Sequence, residues 1–339
     1  MLDSDFLLFP ARKITGFEGN GLFEVYGSQP FVVKLEKSFR PGLIQADEKD
    51  VEDVLRASGK FPGAEAELAK SMFGKIARNP SIPRIMGILN ATPDSFYPGS
   101  RFIPEDIKSI DSFLDQKPDI IDIGGESTRP GSRRISATTE IARIIPFIKY
   151  IRECSSVPIS VDTRNPETLE AAIDFGISFI NDIYGFSDER MVDIAKRNEL
   201  KCIVMHMQGE PSTMQNHPNY SDVIREVNNF LFQRASHLVK SGIKPRNVIL
   251  DPGIGFGKNF EQNLALIRGL DSLNMGFETL VGVSRKSFIG DITGNKVDQR
   301  LAGTLASSIY LMEKKVDYLR VHDVKENLDS LSVYHKLTC

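Results

Sequence analysis

The sequence lacks the features that mark membrane-spanning, nucleic-acid-binding and zinc-binding chains. It contains no run of about 18 consecutive apolar residues, so no membrane span is predicted. Its net charge of −3 provides no global basic surface for a nucleic acid. Its three cysteines, Cys154, Cys202 and Cys339, show no paired spacing. Neither a disulfide framework nor a zinc site is therefore predicted.

The N-terminus also lacks a targeting signal. Met1–Asp5 is acidic, and no basic segment followed by an apolar segment is present. The sequence therefore predicts neither a signal peptide nor a transit peptide, and we expect a cytoplasmic protein. Hydrophobic residues make up 41% of the 339 residues, which is enough to build a core in one large domain or two ordinary ones.

Residues 1–82 differ from the rest of the chain and carry no catalytic motif. We expect them to form an accessory extension packed on a main domain of residues 83–339; a partner-binding or regulatory module is the alternative. Pro80 and Pro83 mark the boundary. The patterns predict a strand at Phe31–Leu35 paired with Leu22–Tyr26, an exposed charged segment at Asp47–Gly63 and a helix at Ala64–Phe73.

From residue 84, eight short apolar runs alternate with eight segments of helical character. This alternation predicts a parallel sheet covered by helices, and eight repeats in this length favour the closed (β/α)₈ barrel. A doubly wound open sheet is the rival, but no nucleotide-binding fingerprint follows the first run. The runs are Ile85–Leu89, Ile120–Ile123, Val157–Val161, Ser178–Ile180, Cys202–Met205, Val248–Leu250, Leu280–Val283 and Tyr318–Val321. The predicted helices span 104–116, 137–153, 166–175, 188–199, 221–241, 260–273, 298–314 and 323–335.

Each predicted strand ends in a polar cluster, whereas the opposite ends do not. In a (β/α)₈ barrel, the carboxyl ends of the strands and the loops after them form the active site. The sequence therefore predicts that these clusters converge on one pocket. They are Asn90, Asp122 with Glu126–Pro130, Asp162–Arg164, Asn181–Asp182, His206–Gln208, Asp251–Lys258, Ser284–Ser287 and Arg320–His322.

One subset of these residues suits an anion. Guanidinium, imidazole, hydroxyl and amide groups supply charge and N–H or O–H donors, and three arginines favour a diphosphate over a monophosphate. Asn90 could also give an oxygen ligand to Mg²⁺ bridging the phosphates. A surface salt bridge is the alternative for each arginine taken alone. The subset is Asn90, Thr128, Arg129, Ser284, Arg285, Arg320 and His322.

A second subset, Asp162, Asn181, Asp251 and Lys286, suits a planar heterocycle. Two carboxylates and an amide can accept hydrogen bonds from amino and ring N–H groups on one edge, and the lysine can donate to the other edge. Two alternatives stay open: the carboxylates could be structural, or Asp251 and Lys286 could be an acid and base pair.

Two further features are read from the residues. The glycines of Asp251–Lys258 allow a tight turn to approach a flat ligand, with Phe256 stacking on it or lining a wall. His206 is read as a hydrogen-bonded core histidine, with a catalytic role as the alternative. The other histidines show no metal-ligand spacing.

Eight stretches, taken in order, resemble the dihydropteroate synthase family of folate-pathway enzymes. The resemblance covers roughly residues 84–325. Tyr97–Ser100 departs from the family's usual Ser-Asp-Gly-Gly. The matching stretches are Ile88–Phe96, Asp122–Gly131, Val161–Thr163, Asn181–Asp182, Met205–Gly209, Asp251–Gly257, Ser284–Ser287 and Arg320–His322.

The resemblance implies a transferase that joins a dihydropterin-methyl diphosphate to p-aminobenzoate and releases diphosphate by a dissociative displacement. It implies pterin binding by Asp162, Asn181, Asp251 and Lys286, and diphosphate binding by Thr128, Arg285, Arg320 and His322. It implies Mg²⁺ at Asn90, and a p-aminobenzoate pocket, the target of sulfonamides, at Phe96, Arg129, Pro130, Phe256 and Ser287. Members are often dimers, so a homodimer is expected. Another pterin-binding barrel, such as a methyltetrahydrofolate-binding methyltransferase domain, is the alternative.

Overall fold

The chain forms a closed barrel of eight parallel strands, preceded by a small antiparallel sheet and two helices. The structure, a computed structural model, describes residues 7–10, 21–26, 38–40, 43–46, 48–91, 104–127, 131–132 and 134–338. The predicted (β/α)₈ barrel is thereby confirmed. The doubly wound open sheet is excluded, because the eight parallel strands of this sheet close into a ring.

The N-terminal sheet has four strands in the order β1-β2-β4-β3. The predicted strand Leu22–Tyr26 lies within β2, which pairs antiparallel with β1 and β4. Its predicted partner, Phe31–Leu35, lies outside the described residues. The strands are β1 (Leu7–Pro10), β2 (Gly21–Tyr26), β3 (Ser38–Arg40) and β4 (Leu43–Ala46).

The barrel strands follow one another in chain order around the ring, and β12 closes it against β5. Each lies within two residues of its predicted bounds. They are β5 (Arg84–Asn90), β6 (Ile120–Gly124), β7 (Ile159–Asp162), β8 (Phe179–Asp182), β9 (Lys201–Met205), β10 (Val248–Asp251), β11 (Glu278–Val281) and β12 (Tyr318–Val321).

Helices cover the outside of the barrel, and within the described ranges none is long and apolar enough to cross a membrane. The short helix α9 was not predicted, because it spans only two turns and contains Gly290, a residue that disfavours helices. The helices are α1 (Glu48–Ser58), α2 (Glu65–Ala77), α3 (Pro104–Leu114), α4 (Ala137–Cys154), α5 (Pro166–Ile173), α6 (Glu189–Arg197), α7 (Val223–Lys240), α8 (Phe260–Arg268), α9 (Ser287–Thr293), α10 (Leu301–Glu313) and α11 (Val324–Thr338). Three 3₁₀ segments lie at Pro245–Asn247, Leu270–Leu273 and Val297–Gln299.

The barrel interior has an apolar floor. Side chains alternate along each strand, so residues two apart face the same side. The floor is a separate buried cluster of inward-facing residues, and the next inward position on several strands is polar. This puts Asp122 two residues above Ile120, Asn181 above Phe179 and Asp251 above Ile249. The floor consists of Met86, Ile120, Phe179, Ile203, Ile249, Leu280 and Tyr318.

Helices α1 and α2 pack on the barrel at the end where its strands begin. Phe61, between the two helices, stacks edge-on against Phe232 of α7 at a centroid distance of 5.0 Å. Lys75 Nζ donates to Asp317 Oδ2 at 2.7 Å, just before β12. A Cβ on Gly276 would lie 2.6 Å from the Leu68 carbonyl oxygen, so the contact requires glycine there.

The expectation of an exposed segment at Asp47–Gly63 holds for charged residues such as Asp53 and Arg56 but is wrong for the apolar ones. Val51 and Phe61 are fully buried, and Leu55 is 6% exposed. Val51 and Leu55 are four residues apart, so they share one face of α1 and pack into the barrel core. The charged residues between them concealed this apolar stripe. The division at residues 82 and 83 stays a prediction.

Candidate active site

The carboxyl ends of four neighbouring strands lie in register at one end of the barrel. Asn90 of β5 pairs with Gly124 of β6, Gly124 pairs with Asp162 of β7, and Asp162 pairs with Asn181 of β8. Asn90 is half-buried, and Asn181 is 3% exposed. Because register partners in a parallel sheet project to the same side, the metal candidate and two of the pterin candidates share one layer of the barrel mouth.

Arg320 crosses the interior from β12 and joins two carboxylates. Its Nε donates to Asp122 Oδ2 at 2.6 Å, and its Nη2 donates to Asp162 Oδ2 at 2.8 Å. Asp122 is fully buried and also accepts from Asn181 Nδ2 at 3.2 Å. A guanidinium has five N–H donors, so this fork keeps donors for a third acceptor. Arg320 can therefore hold the pocket together and still bind an anion.

The charges in the pocket perturb one another. Burial raises the pKa of Asp162 to about 8, and the Arg320 guanidinium opposes this increase. Burial disfavours the Arg320 cation, but Asp122 and Asp162 together raise its pKa above the usual range. One guanidinium shared by two carboxylates remains charged and cannot fully stabilise both of them. The pocket consequently favours a ligand that brings N–H donors.

Two buried oxygens in the same place have no hydrogen-bond partner among the described residues. They are Asp122 Oδ1 and Asn181 Oδ1. The Ser160 hydroxyl, on the inward face of β7 next to Asp122, is a third buried polar atom without a partner. Each unpaired buried acceptor costs about 1–3 kcal/mol, so native proteins pair almost all of them. Donors from outside the described residues, such as those of a ligand, would satisfy these atoms.

Asp251 and Lys286 occupy the opposite wall. Asp251 Oδ1 accepts from the Gly253 N–H at 2.7 Å, and burial raises the pKa of Asp251 while Lys286 opposes this. Lys286 Nζ donates to the Ile254 carbonyl and lies 5.0 Å from the centre of the Phe256 ring. Burial lowers the pKa of Lys286 to about 8, and Asp251 opposes this. The predicted pterin residues therefore lie on two sides of one pocket.

Arg285 makes most of its hydrogen bonds within the protein. Its Nε and Nη2 form a two-point salt bridge with Asp323, at 2.8 and 2.6 Å. Its Nη1 donates to the carbonyls of Val297 and Asp298, at 3.2 and 3.1 Å. The backbone of Arg285 lies in the left-handed region, with φ of 57°. Four of its five N–H donors are thus occupied within the protein, and diphosphate binding by Arg285 stays a prediction.

His322 is exposed and lies against the buried Ser284. The Ser284 hydroxyl oxygen is 3.2 Å from the His322 N–H and 3.0 Å from His322 Nδ1. Accepting from the backbone N–H leaves the hydroxyl hydrogen free to donate to Nδ1. That arrangement favours the tautomer with its hydrogen on Nε2. Ser284 therefore orients the imidazole at the barrel mouth.

The remaining candidates are only partly within the described residues. Phe256 is half-buried beside Lys286, and Ser287 is exposed at the start of α9. The structure brings these two to the same side of the mouth as Lys286. Phe96, Thr128, Arg129 and Pro130 lie outside the described residues.

Mg²⁺ is the metal that the sequence predicts, and the residues present fit it. In the described part of the chain, no cluster of three or more His, Cys, Asp or Glu residues could hold a metal through protein ligands alone. Mg²⁺ commonly uses one or two protein oxygens and completes its shell with substrate phosphates and water. Asn90 offers one such hard oxygen at the end of β5, in the layer of Asp162.

Several polar residues of the site were not assigned a role from the sequence. Asp122 was noted only as a strand end, although its inward position two residues after Ile120 was a usable signal. Arg164 donates to Glu126 at 2.7 and 3.3 Å, and their side chains are only 6% and 11% exposed. This pair joins the loops after β6 and β7. It could not be predicted, because nothing in the sequence spacing of Glu126 and Arg164 indicates that they form a salt bridge.

A buried carboxylate supports the turn after β7. Glu140 is 1% exposed, and its Oε2 accepts from Thr163, Asn165 and Thr168 at 2.8, 2.8 and 2.6 Å. These donors surround the residues that follow Asp162. Glu140 therefore fixes the turn that sets the direction of Asp162.

Comparison with known proteins places this site in a described family. The family "Pterin binding enzyme" matches residues 86–322. Dihydropteroate synthase of Haemophilus influenzae is 38% identical over 257 residues, which cover 75% of this chain and 94% of the relative. Dihydropteroate synthase of Escherichia coli K12 is 39% identical over 256 residues, which cover 75% of this chain and 91% of the relative.

Solved structures agree with the sequence relatives. The Yersinia pestis dihydropteroate synthase with a sulfonamide drug superposes with a TM-score of 0.71 at 34% identity, over 77% of this chain and 96% of the other. The Xanthomonas albilineans dihydropteroate synthase in complex with 7,8-dihydropteroate gives a TM-score of 0.69 at 33% identity, over 77% and 96%. These coverages show that nearly the whole of each relative corresponds to about three quarters of this chain.

Proposed function

The chain belongs to the dihydropteroate synthases of the pterin binding enzyme family, and from this premise we propose the reaction that it catalyses. It condenses (7,8-dihydropterin-6-yl)methyl diphosphate with p-aminobenzoate and releases 7,8-dihydropteroate and diphosphate. The observation that carries the proposal is a pair of buried acceptors, Asp122 Oδ1 and Asn181 Oδ1, that have no partner among the described residues. Asn181 is the register partner of Asp162, and Arg320 joins Asp122 to Asp162. A pterin edge carries the amino and ring N–H donors that such acceptors need.

In this proposal the pocket fixes the pterin by its hydrogen-bonding edge. Asp162, Asn181 and Asp251 accept from the pterin's amino and ring N–H groups, and Lys286 donates to its carbonyl oxygen or a ring nitrogen. Complementary donors and acceptors reject rings that lack them, because the buried groups would then stay unpaired. The protein thereby orients the substrate before bond cleavage.

The chemical step is a dissociative displacement. The bond between the methyl carbon and the diphosphate oxygen breaks first, and the resulting cation is delocalised over the pterin. The amine nitrogen of p-aminobenzoate then bonds to that carbon and loses a proton. Arg320, His322, Arg285 and Thr128 stabilise the leaving diphosphate through charge and hydrogen bonds. Asn90 would hold Mg²⁺, which supplies positive charge to the departing phosphates when bound.

The second substrate enters beside Phe256 and Ser287. The Phe256 ring offers an apolar wall next to Lys286, and the Ser287 hydroxyl is exposed at the start of α9. Phe96, Arg129 and Pro130 are the further p-aminobenzoate candidates. Aromatic and hydroxyl groups together suit a benzoate, whose ring is apolar and whose carboxylate accepts hydrogen bonds.

The assay that tests the proposal measures diphosphate release from the pterin diphosphate with Mg²⁺, in the presence and absence of p-aminobenzoate. We expect release together with dihydropteroate formation that depends on the amine. Lys286→Ala should raise KM for the pterin substrate, whereas the exposed Lys244→Ala should not. The absence of an amine-dependent product would refute the synthase reaction and favour the other candidate, a pterin-binding methyltransferase barrel.

We also propose that the protein is a homodimer. Five large hydrophobic side chains are exposed on α9, α10, α11 and the 3₁₀ segment Val297–Gln299, a region that an equivalent surface of a second copy could cover. The mass in solution, measured by light scattering after size-exclusion chromatography, tests this; a monomer mass at all concentrations would contradict it. These residues are Ile292, Val297, Tyr310, Val333 and Leu337.

A further inference from the structure

Lys258 is a buried lysine that lies close to the proposed pterin pocket without belonging to the residues assigned above. It is 2% exposed and ends the glycine-rich loop that follows β10. No carboxylate lies within salt-bridge distance among the described residues. Burial lowers the pKa of Lys258 well below its usual value and Asp251 opposes this, so the ammonium needs several hydrogen-bond acceptors to keep its charge.

Four acceptors surround the Lys258 ammonium. Its Nζ lies 2.9 Å from the carbonyl oxygens of both Gly253 and Phe256, and 3.3 Å from that of His206. The fourth acceptor is His206 Nδ1 at 3.0 Å. Burial, with Lys258 adding to it, lowers the pKa of His206 to about 3, so this ring is neutral and Nδ1 can accept. The four groups form a cage that an ammonium fills.

The cage connects two separate parts of the chain. Gly253 and Phe256 belong to the loop after β10, whereas His206 follows β9. The two segments approach so closely that a Cβ on Gly253 would lie 2.0 Å from the His206 carbonyl oxygen. Without the Lys258 amine, the carbonyl oxygens of Phe256 and His206 would have no donor among the described residues, and the Gly253 carbonyl would keep only the Phe256 N–H at 3.0 Å. Lys258 is therefore the group that allows this approach.

The same loop sets the position of Lys286. Its Ile254 carbonyl accepts from Lys286 Nζ, and its Phe256 ring lies 5.0 Å beneath that ammonium. Ile254 lies between Gly253 and Phe256, the two loop residues whose carbonyls Lys258 binds. Phe256 is itself one of those two residues. A displacement of the cage would therefore move both groups that orient Lys286.

We propose that Lys258 is a positioning residue: its ammonium closes the carbonyl cage and thereby fixes the loop that orients Lys286 toward the pterin. The inference rests on the proposed synthase function, because pterin binding by Lys286 is part of that function. A loop displaced by about 1 Å can lower a rate by roughly 100-fold.

Chemical rescue tests the proposal. Lys258→Ala removes a three-carbon amine, so n-propylammonium matches the deleted atoms, and n-propanol is its uncharged counterpart. We expect Lys258→Ala to lower kcat/KM for the pterin diphosphate by roughly 100-fold, mainly by raising KM. We expect n-propylammonium, but not n-propanol, to restore KM and to raise the Tm of the variant, and to leave wild type unchanged. Lys244→Ala, an exposed lysine, serves as the matched control.

Other outcomes would overturn it. Lys258→Met keeps the length of the aliphatic part of the lysine and lacks the ammonium, so it separates packing from hydrogen bonding if Lys258→Ala fails to fold. A folded Lys258→Met with the wild-type KM would refute the positioning role, and so would equal rescue by n-propanol. A decrease in kcat with an unchanged KM would also refute the positioning role. That result is expected when a smaller fraction of the enzyme is folded and the folded fraction binds substrate normally. Absence of activity in wild type would refute the synthase proposal, while the Tm response to n-propylammonium still tests the cage.

Discussion

Three carboxylates and two cations share the interior of the pocket, so each residue's protonation depends on the others. Asp122, Asp162 and Asp251 face Arg320 and Lys286, which leaves one excess negative charge when all five are ionised. The pocket is therefore arranged to accept N–H donors, while burial lowers the pKa of Lys286 to about 8. This balance predicts an unusual pH dependence for substrate capture.

We expect kcat/KM for the pterin diphosphate to peak near pH 8. Lys286 loses its proton as the pH rises through about 8, and a donor to the pterin disappears with it. Asp162 gains a proton as the pH falls below about 8, and an acceptor is then lost. An exposed lysine would keep its charge to about pH 10.4. The pH profile of kcat/KM reports these groups in the free enzyme.

Variants assign the two limbs of the profile. Lys286→Met should abolish the alkaline limb, and Asp162→Asn should abolish the acid limb, with lower activity in both. The apparent values belong to the coupled cluster rather than to single residues. An alkaline limb near pH 10 in wild type would show that the Lys286 ammonium is not destabilised as the structure indicates.

At the residue scale, residue type and strand position were sufficient to predict which polar residues meet at the barrel mouth. Asp162 and Asp251 each end a strand and Asn181 is the last residue but one of β8, and barrel topology brings strand ends together. Pairing between distant residues could not be predicted in the same way. The Arg285 salt bridge with Asp323 and the cage around Lys258 depend on backbone paths that spacing does not encode.

Helix α2 shows how an element outside the catalytic motifs stabilises the barrel. Its Leu68 is fully buried in the main core cluster, and its Lys75 pairs with Asp317 at the start of β12. Truncating a buried leucine removes apolar contact and leaves a cavity. We expect Leu68→Ala to lower the free energy of unfolding by about 2–5 kcal/mol, as measured by denaturant unfolding.

The matched control lies on the same helix. Lys70 is exposed, so Lys70→Ala should change the unfolding free energy by no more than about 0.5 kcal/mol. An equally small effect of Leu68→Ala would mean that α2 contributes little to the core despite its buried face. Because both variants lie far from the barrel mouth, KM for either substrate should stay unchanged in each.

At the element scale, the barrel strands and helices were predictable because their periods are regular. The elements that were missed or predicted wrongly are those that are short or in which apolar and charged residues are mixed. Helix α9 spans Ser287–Thr293 and contains a glycine, and α1 carries its apolar residues among many charges. In both cases packing against the barrel, which the local sequence does not specify, determines the structure.

At the scale of the whole molecule, the N-terminal helices and the barrel share one core. Phe61, Leu68 and Met72 belong to the same buried cluster as the barrel's Ile85 and Val281. Arg78 and Lys75 both bind the Asp317 carboxylate, at 2.7 Å each. The sequence separated the two regions at the prolines near residue 82, because motif content changes there. Shared packing is a property of the fold that this change does not reveal.

Truncation tests how far the barrel depends on these helices. We expect residues 83–339 alone to be much less stable than the full chain, because removing α1 and α2 exposes apolar core surface and leaves Asp317 without its two cations. A chain that begins at Glu48 keeps both helices, so the difference between the two truncations measures their contribution. Soluble yield and Tm by thermal unfolding provide the readouts. A barrel of residues 83–339 with the Tm of the full chain would show instead that it is an independent domain.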